Sequence, residues 1–242
     1  MTQELRDRLE SMKEKLVSPA APHHFQVKLI QGDALATLEA MPPHSVDLIF
    51  TNPPVEYHVN SFGRTVKVVF DTRWIREALR VSRGPVAYTL HADAFLWLWR
   101  AKDPALELIQ PDSISAWVVN EPGVTRGVAP STWNMLCLHK VPLRDPRIPD
   151  VIVAPAGDDH WGPAQEQAAP GSFHLAFRLI EFLKPETVLD PFCGSGVTLH
   201  AAEIAGALGA IGIDRDTEPL AACADAFRER GALVTTEANP SL

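Results

Sequence analysis

The stretch VLDPFCGSGVTLHAAEIAGALGAIGIDRD, residues 188–216, decides the fold. A short apolar run from Thr187 to Asp190 reads as a strand, and Gly194 and Gly196 turn the chain into a helix over Val197–Ala207. Ala210–Asp214 is a second strand and Glu218–Arg230 a second helix. Strand, glycine turn, helix, strand is the crossover unit of a parallel sheet. Asp214 closes its strand 20 residues after Gly194. Glycines allow a ligand close to the backbone, and an acid at that spacing can accept both hydroxyls of a ribose. Other phosphate or nucleophile loops fit less well. No lysine is present for a Walker A loop, and Leu199 stands where a dinucleotide fingerprint wants a third Gly or Ala. Phe192–Gly196 puts glycine at the wrong places for a G-x-S-x-G elbow. A tight turn without a ligand is the plain alternative, and Asp190-Pro191-Phe192 ahead of the glycines argues against it. Cys193 has no base beside it and reads as a small loop residue.

Working outward, strands alternate with helices along the chain. Val27–Gln31, Asp47–Thr51, Pro85–Leu90, Ile114–Asn120 and Asn134–Lys140 read as strands. Asp33–Glu39, Thr72–Val81, Ala92–Arg100 and His174–Leu183 read as helices. The pattern predicts an α/β fold, a largely parallel twisted sheet with helices on both faces. The chain is expected to run as a loop through Gly63, and residues 141–171, rich in Pro, Gly and Asp, as an irregular segment. At the start, Leu5, Leu9, Met12 and Leu16 form one apolar stripe of an amphipathic helix, followed by the linker Ser18-Pro19-Ala20-Ala21-Pro22. This predicts an appendage over residues 1–22 and a main domain over 23–242. The helix either packs on that domain or forms a homodimer contact.

The chain has 242 residues and a formal net charge of -8, which at face value disfavours a nucleic-acid partner. Position matters more than the sum. Residues 64–83 hold six basic and two acidic side chains, and 126–147 hold four and one. From Pro185 onward there are nine acids and three bases. A basic face on an acidic molecule can still hold a phosphate backbone, because screening confines the interaction to about 10 Å. No run approaches the roughly 20 apolar residues of a membrane span, and the charged start lacks the apolar core of a secretory signal. Cys137, Cys193 and Cys223, three and far apart, predict a reduced, cytoplasmic protein. The nine histidines show no ligand spacing, so no metal site is expected.

Thr51-Asn52-Pro53-Pro54 ends a strand where open α/β sheets place their ligands. Neither proline can donate to a sheet ladder, so the chain leaves the sheet there. The chemistry this suits is methyl transfer to an exocyclic amine, whose nitrogen is conjugated into its ring and a poor nucleophile. The Asn52 side-chain oxygen and the Pro53 carbonyl can each accept one of its N–H bonds and turn the lone pair out of the ring plane. No strong base is needed, because the proton becomes acidic once the nitrogen is methylated.

With both motifs in hand, the sequence resembles the DNA methyltransferases that make N6-methyladenine or N4-methylcytosine. The match is to the circularly permuted group, in which Asn/Asp/Ser-Pro-Pro precedes the cofactor loop. It is carried by LIQGDAL (29–35), VDLIFTNPP (46–54), ISAWVVNEPG (114–123), APSTWNMLCLHK (129–140), DVIVAP (150–155), APGSFHLAFRLIEFLKPETVLDPFCGSGVT (169–198) and GAIGIDRD (209–216). The resemblance implies a Rossmann-like methyltransferase fold and S-adenosyl-L-methionine held by Asp190, Pro191, Phe192, Gly194, Ser195 and Gly196. It also implies Asp214 on the ribose, Asp33 on the adenine amine, Ser172 near the methionine carboxylate, and Asn52, Pro53 and Pro54 as the catalytic motif. DNA would be the partner, with no membrane involved, and a restriction-modification setting is typical of the family.

Departures from the family pattern sharpen the expectations. Val55 stands where an aromatic residue usually stacks on the flipped target base, so Tyr57 or Phe62 would supply the ring, or Val55 only apolar contact. Residues 141–170 leave about thirty positions for target recognition, which predicts relaxed sequence specificity shared with 58–70 and 121–130. Arg64, Lys67, Arg126 and Trp161 are the candidate DNA contacts; the other tryptophans read as packing. Adenine N6 is favoured over cytosine N4 because Asn rather than Ser precedes Pro-Pro. An RNA or protein-amide methyltransferase, and a catalytically poor DNA- or cofactor-binding homologue, are the alternatives.

Overall fold

The computed structural model describes residues 25–59, 61, 65–101, 113–120, 131–140, 151–155 and 172–238, with the backbone alone at 59, 65–66, 93, 99, 101, 113–120, 131–135, 151–155 and 172. The expected N-terminal helix and linker, with Arg64, Phe62, Arg126 and Trp161, lie outside the described residues.

Eleven strands and six helices are described. β1 (Gln26–Gln31), α1 (Ala34–Ala40) and β2 (Leu48–Thr51) lead to a hairpin of β3 (Glu56–Val59) and β4 (Thr65–Val69). Then come α2 (Arg73–Val81), β5 (Val86–His91), α3 (Ala92–Ala101), β6 (Ser113–Asn120), β7 (Ser131–His139) and β8 (Val151–Pro155). α4 (Ser172–Leu183), β9 (Thr187–Asp190), α5 (Val197–Ala205), β10 (Gly209–Asp214), α6 (Thr217–Glu229) and β11 (Leu233–Ala238) complete the chain.

Nine strands form one sheet in the order β11-β1-β10-β9-β2-β5-β7-β6-β8. From β11 to β5 every pairing is parallel, β7 is antiparallel to both β5 and β6, and β8 runs parallel to β6. The fold is therefore the expected α/β sandwich. Its two faces show in the alternation of β2: Leu48 and Phe50 join one core with α4, α5 and α6, whereas Ile49 joins the other with Trp74 and Ile75 of α2 and Leu98 of α3. A strand covered on both sides reads as an unbroken apolar run, which is why LIFT was legible.

Three elements correct the sequence reading. The expected loop through Gly63 carries the β3–β4 hairpin, in which Glu56, His58 and Lys67 are exposed while Val68 enters the second core, a mixed pattern too short to show its period. Residues 151–155, inside the expected irregular segment, form β8; among the described residues it pairs with β6 alone, and such an edge strand needs little of its own signal. β11 was unforeseen because it is an exposed edge strand, LVTTEA, held by the β1 ladder rather than by burial.

Candidate functional site

The carboxyl ends of β1, β10, β9, β2 and β5 share one edge of the sheet. From β9 the chain crosses through α5 to β10 on one side, and from β2 it reaches β5 on the other. β9 and β2 are neighbours, so the crossover connections diverge between them. In open α/β sheets that divergence leaves a crevice where ligands bind. Asp190 ends β9 and Asn52 follows β2, so the two sequence motifs meet there.

The glycine loop is built from backbone constraints. Gly194 and Gly196 have φ of 49° and 88°, the left-handed region that favours glycine. A Cβ at Gly196 would come within 2.3 Å of Cys223 Sγ, whereas one at Gly194 would meet nothing within 4 Å. The loop is thus packed tightly beneath and open above. Cys193 N donates to Ile213 O and Gly196 N to Cys193 O, closing the turn onto β10. Phe192 packs edge-on against the buried Trp74 at 5.4 Å.

Asp190 is 3% exposed, and burial pushes its carboxyl up to about 6. Its Oδ1 accepts the Thr51 hydroxyl at 2.6 Å and the Phe192 N–H at 3.0 Å, and the Thr198 hydroxyl is a further donor. These donors favour the charged form and partly oppose the desolvation. Asp190 therefore organises the loop from within the protein rather than presenting a free carboxylate.

Asp214 takes the Gly194 N–H on Oδ2 at 2.7 Å and the Asp216 N–H on Oδ1 at 3.0 Å. Both oxygens are engaged, yet each keeps a second lone pair for a hydroxyl donor. Asp33 N-caps α1 through the Ala36 N–H at 3.0 Å, and its other oxygen pairs with the Arg215 guanidinium. The Ala36 N–H and Arg215 hold the Asp33 carboxyl below its ordinary value. Arg215 thereby engages one oxygen of the carboxylate expected to meet an adenine amine.

Asn52 and Pro54 are exposed and Pro53 is buried. Asn52 Oδ1 accepts the Thr89 hydroxyl at 2.6 Å. Val55 packs partly buried against the second core, while Tyr57 on β3 is 43% exposed. Ser172 is the first residue of α4.

Half of the basic side chains of residues 64–83 are engaged in ion pairs within the fold. Arg73 pairs with Asp71, Arg80 with Glu77 and Arg83 with Asp47. Arg80 also donates to Leu38 O and Met41 O, closing the end of α1. Lys67 and Arg76 are exposed and make no ion pair among the described residues. A groove of about 520 Å³ at the opposite edge of the sheet, touching Asp47, Arg83, Lys184 and Glu186, holds none of the sequence-predicted residues.

No protein-family model matches the sequence, and no curated protein does. Solved structures do. TTHA0409 from Thermus thermophilus, assigned as a DNA modification methylase, superposes with a TM-score of 0.59 at 18% identity, over 88% of this chain and 99% of that one. Its complex with S-adenosyl-L-methionine gives 0.57 at 17% identity, over 87% and 97%. The PvuII DNA methyltransferase, cytosine-N4-specific, gives 0.57 at 17% identity, over 86% and 89%. The fold is the one these methylases share.

Proposed function

We propose that the chain is a DNA methyltransferase that transfers a methyl group from S-adenosyl-L-methionine to an exocyclic base amine, adenine N6 ahead of cytosine N4. The observation that carries the proposal is the meeting of the glycine loop and Asn52-Pro53-Pro54 at the divergence between β9 and β2, one ligand edge serving a donor and an acceptor. The open space above Gly194 and the residual lone pairs of Asp214 suit a nucleoside. Asp190, Pro191, Phe192, Gly194, Ser195 and Gly196 would form the cradle, Asp214 would accept ribose hydroxyls, and Ser172 would meet the methionine end. Asp33 would take the adenine amine on its remaining lone pairs, beside Arg215. When bound, this cofactor supplies an electrophilic methyl group.

The protein's own part is orientation. Asn52 Oδ1 and the Pro53 carbonyl accept the two N–H bonds of the target amine and turn its lone pair out of conjugation. Pro54 stiffens the turn. Tyr57, exposed on β3, supplies the aromatic contact for the base, and the partly buried Val55 adds apolar contact. Lys67, with Arg64, Arg126 and Trp161, meets the DNA, and recognition is relaxed.

Cytosine N4 is the second reading, favoured by the fold likeness to the cytosine-N4-specific PvuII enzyme. One experiment separates them. The protein is incubated with methyl-labelled cofactor and DNA, and the DNA is digested to nucleosides. Label in N6-methyl-2′-deoxyadenosine supports the first reading and label in N4-methyl-2′-deoxycytidine the second; no label in DNA overturns both.

A further inference from the structure

We propose that Thr89 is a positioning residue that fixes the orientation of the Asn52 carboxamide, and through it the rate of the transfer; this rests on the function proposed above. Thr89 lies on β5 one residue beyond the last β2–β5 pair, Thr51↔Tyr88, which brings it level with Asn52. It is 3% exposed, and its hydroxyl donates to Asn52 Oδ1 at 2.6 Å.

A carboxamide on the surface is ambiguous. Its terminal torsion is broad and roughly two-fold, and the two orientations offer opposite chemistry, an acceptor or a donor. Only the oxygen can receive an amine N–H. Thr89 removes the ambiguity. Among the described residues, Asn52 Oδ1 is the acceptor for its hydroxyl proton, so a flipped amide, although it could donate to the Thr89 oxygen, would leave the buried hydroxyl proton without an acceptor. The donor itself is stiff, being β-branched and buried in a strand. An sp² oxygen carries two lone pairs, so one remains for the target amine while Thr89 holds the other.

Thr51, the residue before Asn52, is fixed from the opposite side by Asp190 on β9. The strand end is thus clamped on both sides, and the Asn52 oxygen is preset before any substrate arrives. Presetting of this kind contributes to the rate of the reacting step rather than to substrate affinity.

The test compares the full-length protein with T89V, which keeps the shape and loses the donor, and with T89S, which keeps the donor. Single-turnover methyl transfer to DNA, the DNA KM, the affinity for S-adenosyl-L-methionine and the thermal midpoint are measured on each. T89V is expected to slow transfer 10- to 100-fold with KM and cofactor affinity within threefold of the parent, and T89S to stay within threefold in rate. A T89V rate within twofold of the parent, or a T89S as slow as T89V, overturns the proposal. The Asn52 side-chain amide signals in ¹⁵N-labelled protein give a readout independent of turnover. They should shift and broaden in T89V, and unchanged signals would overturn the positioning role even if the parent transferred no methyl group, an outcome that would itself sink the functional reading.

Discussion

Thr51 Oγ1 donates to Asp190 Oδ1 at 2.6 Å, with both residues buried, and so ties the Asn-Pro-Pro strand to the glycine-loop strand. The two strands pair only through Leu48↔Val188 and Ile49↔Leu189, and beyond Ile49 the side-chain bond takes over. Because Asp190 also takes the Phe192 N–H, one carboxylate sets the spacing between the two motifs.

Thr51→Val should therefore cost more than a surface change. It keeps the shape but leaves a buried carboxylate one donor short, which is worth about 1–3 kcal/mol. At this chain size each kcal/mol lowers the midpoint by about 2–4 °C. Thermal unfolding and calorimetry with S-adenosyl-L-methionine should show a lower midpoint together with weaker cofactor binding. Unchanged binding would mean that the bond serves stability alone.

The two loop glycines should separate folding from binding. Gly196→Ala places a Cβ 2.3 Å from Cys223 Sγ at a φ of 88°. Left-handed strain of about 1–2 kcal/mol adds to overpacking of about 1–3 kcal/mol, and the midpoint should drop sharply. Gly194→Ala meets open space at a φ of 49° and should carry only the strain. If the space above Gly194 holds the cofactor, that milder variant will lose cofactor affinity at least tenfold while remaining folded. A Gly194→Ala protein that binds like the parent would place the cofactor elsewhere.

Much of this site was legible in the sequence, for a physical reason. Left-handed turns demand glycine, a strand stopped by two prolines cannot be hidden, and strands covered on both faces show as unbroken apolar runs. Asp190, Gly194, Gly196 and Asn52 could thus be located from their neighbours alone. Thr51, Thr89, Thr198 and Arg215 could not. Their roles come from lateral register between strands far apart in sequence, and a threonine in a strand is ordinary until the strand beside it is known. Asp33 and Asp214 were found as acids, but their internal partners, the Ala36, Gly194 and Asp216 N–H groups, were not. Within the basic stretch 64–83 the neighbours Asp71 and Glu77 were visible as acids beside Arg73 and Arg80, whereas Asp47, the partner of Arg83, lies outside the stretch.

Acid should destabilise the protein through two histidines. His174 and His200 are buried, and desolvation pushes each down to about 4, with Arg178 acting on the first and Arg230 on the second. Between their ordinary value of about 6.5 and 4, the unfolded chain takes protons that the fold refuses, so stability falls as pH falls through that window. Asp190 acts oppositely: its raised value makes the folded chain hold a proton between about 4 and 6 that the unfolded chain releases. Two groups against one give a net loss on acidification. His200→Phe removes one titration and keeps the stacking on Phe227, whose ring lies 4.1 Å away. The difference in unfolding free energy between pH 7 and pH 5 should shrink by about 1–2 kcal/mol, measured by urea titration. An unchanged difference would show that His200 is protonated within the fold.

Arg80 and Lys67 belong to the same basic stretch and should behave in opposite ways. The Arg80 guanidinium is half-buried, paired with Glu77 at 2.6 Å and bonded to the carbonyls of Leu38 and Met41 at 2.7 and 2.8 Å. Hydrogen bonds to a charged group are worth about 1.5–3 kcal/mol, so Arg80→Ala should lower the thermal midpoint and leave the salt dependence of DNA binding unchanged. Lys67 is exposed on β4, and its loss costs the fold little. If it touches a phosphate, Lys67→Ala will weaken binding about equally on different DNA sequences and reduce the slope of log affinity against log salt by about one. Fluorescence anisotropy with a labelled duplex across a salt series reads both. A Lys67→Ala slope equal to the parent's would remove the hairpin from the DNA-binding face, whereas a reduced slope in Arg80→Ala would mean that this arginine leaves its carbonyls to meet the nucleic acid.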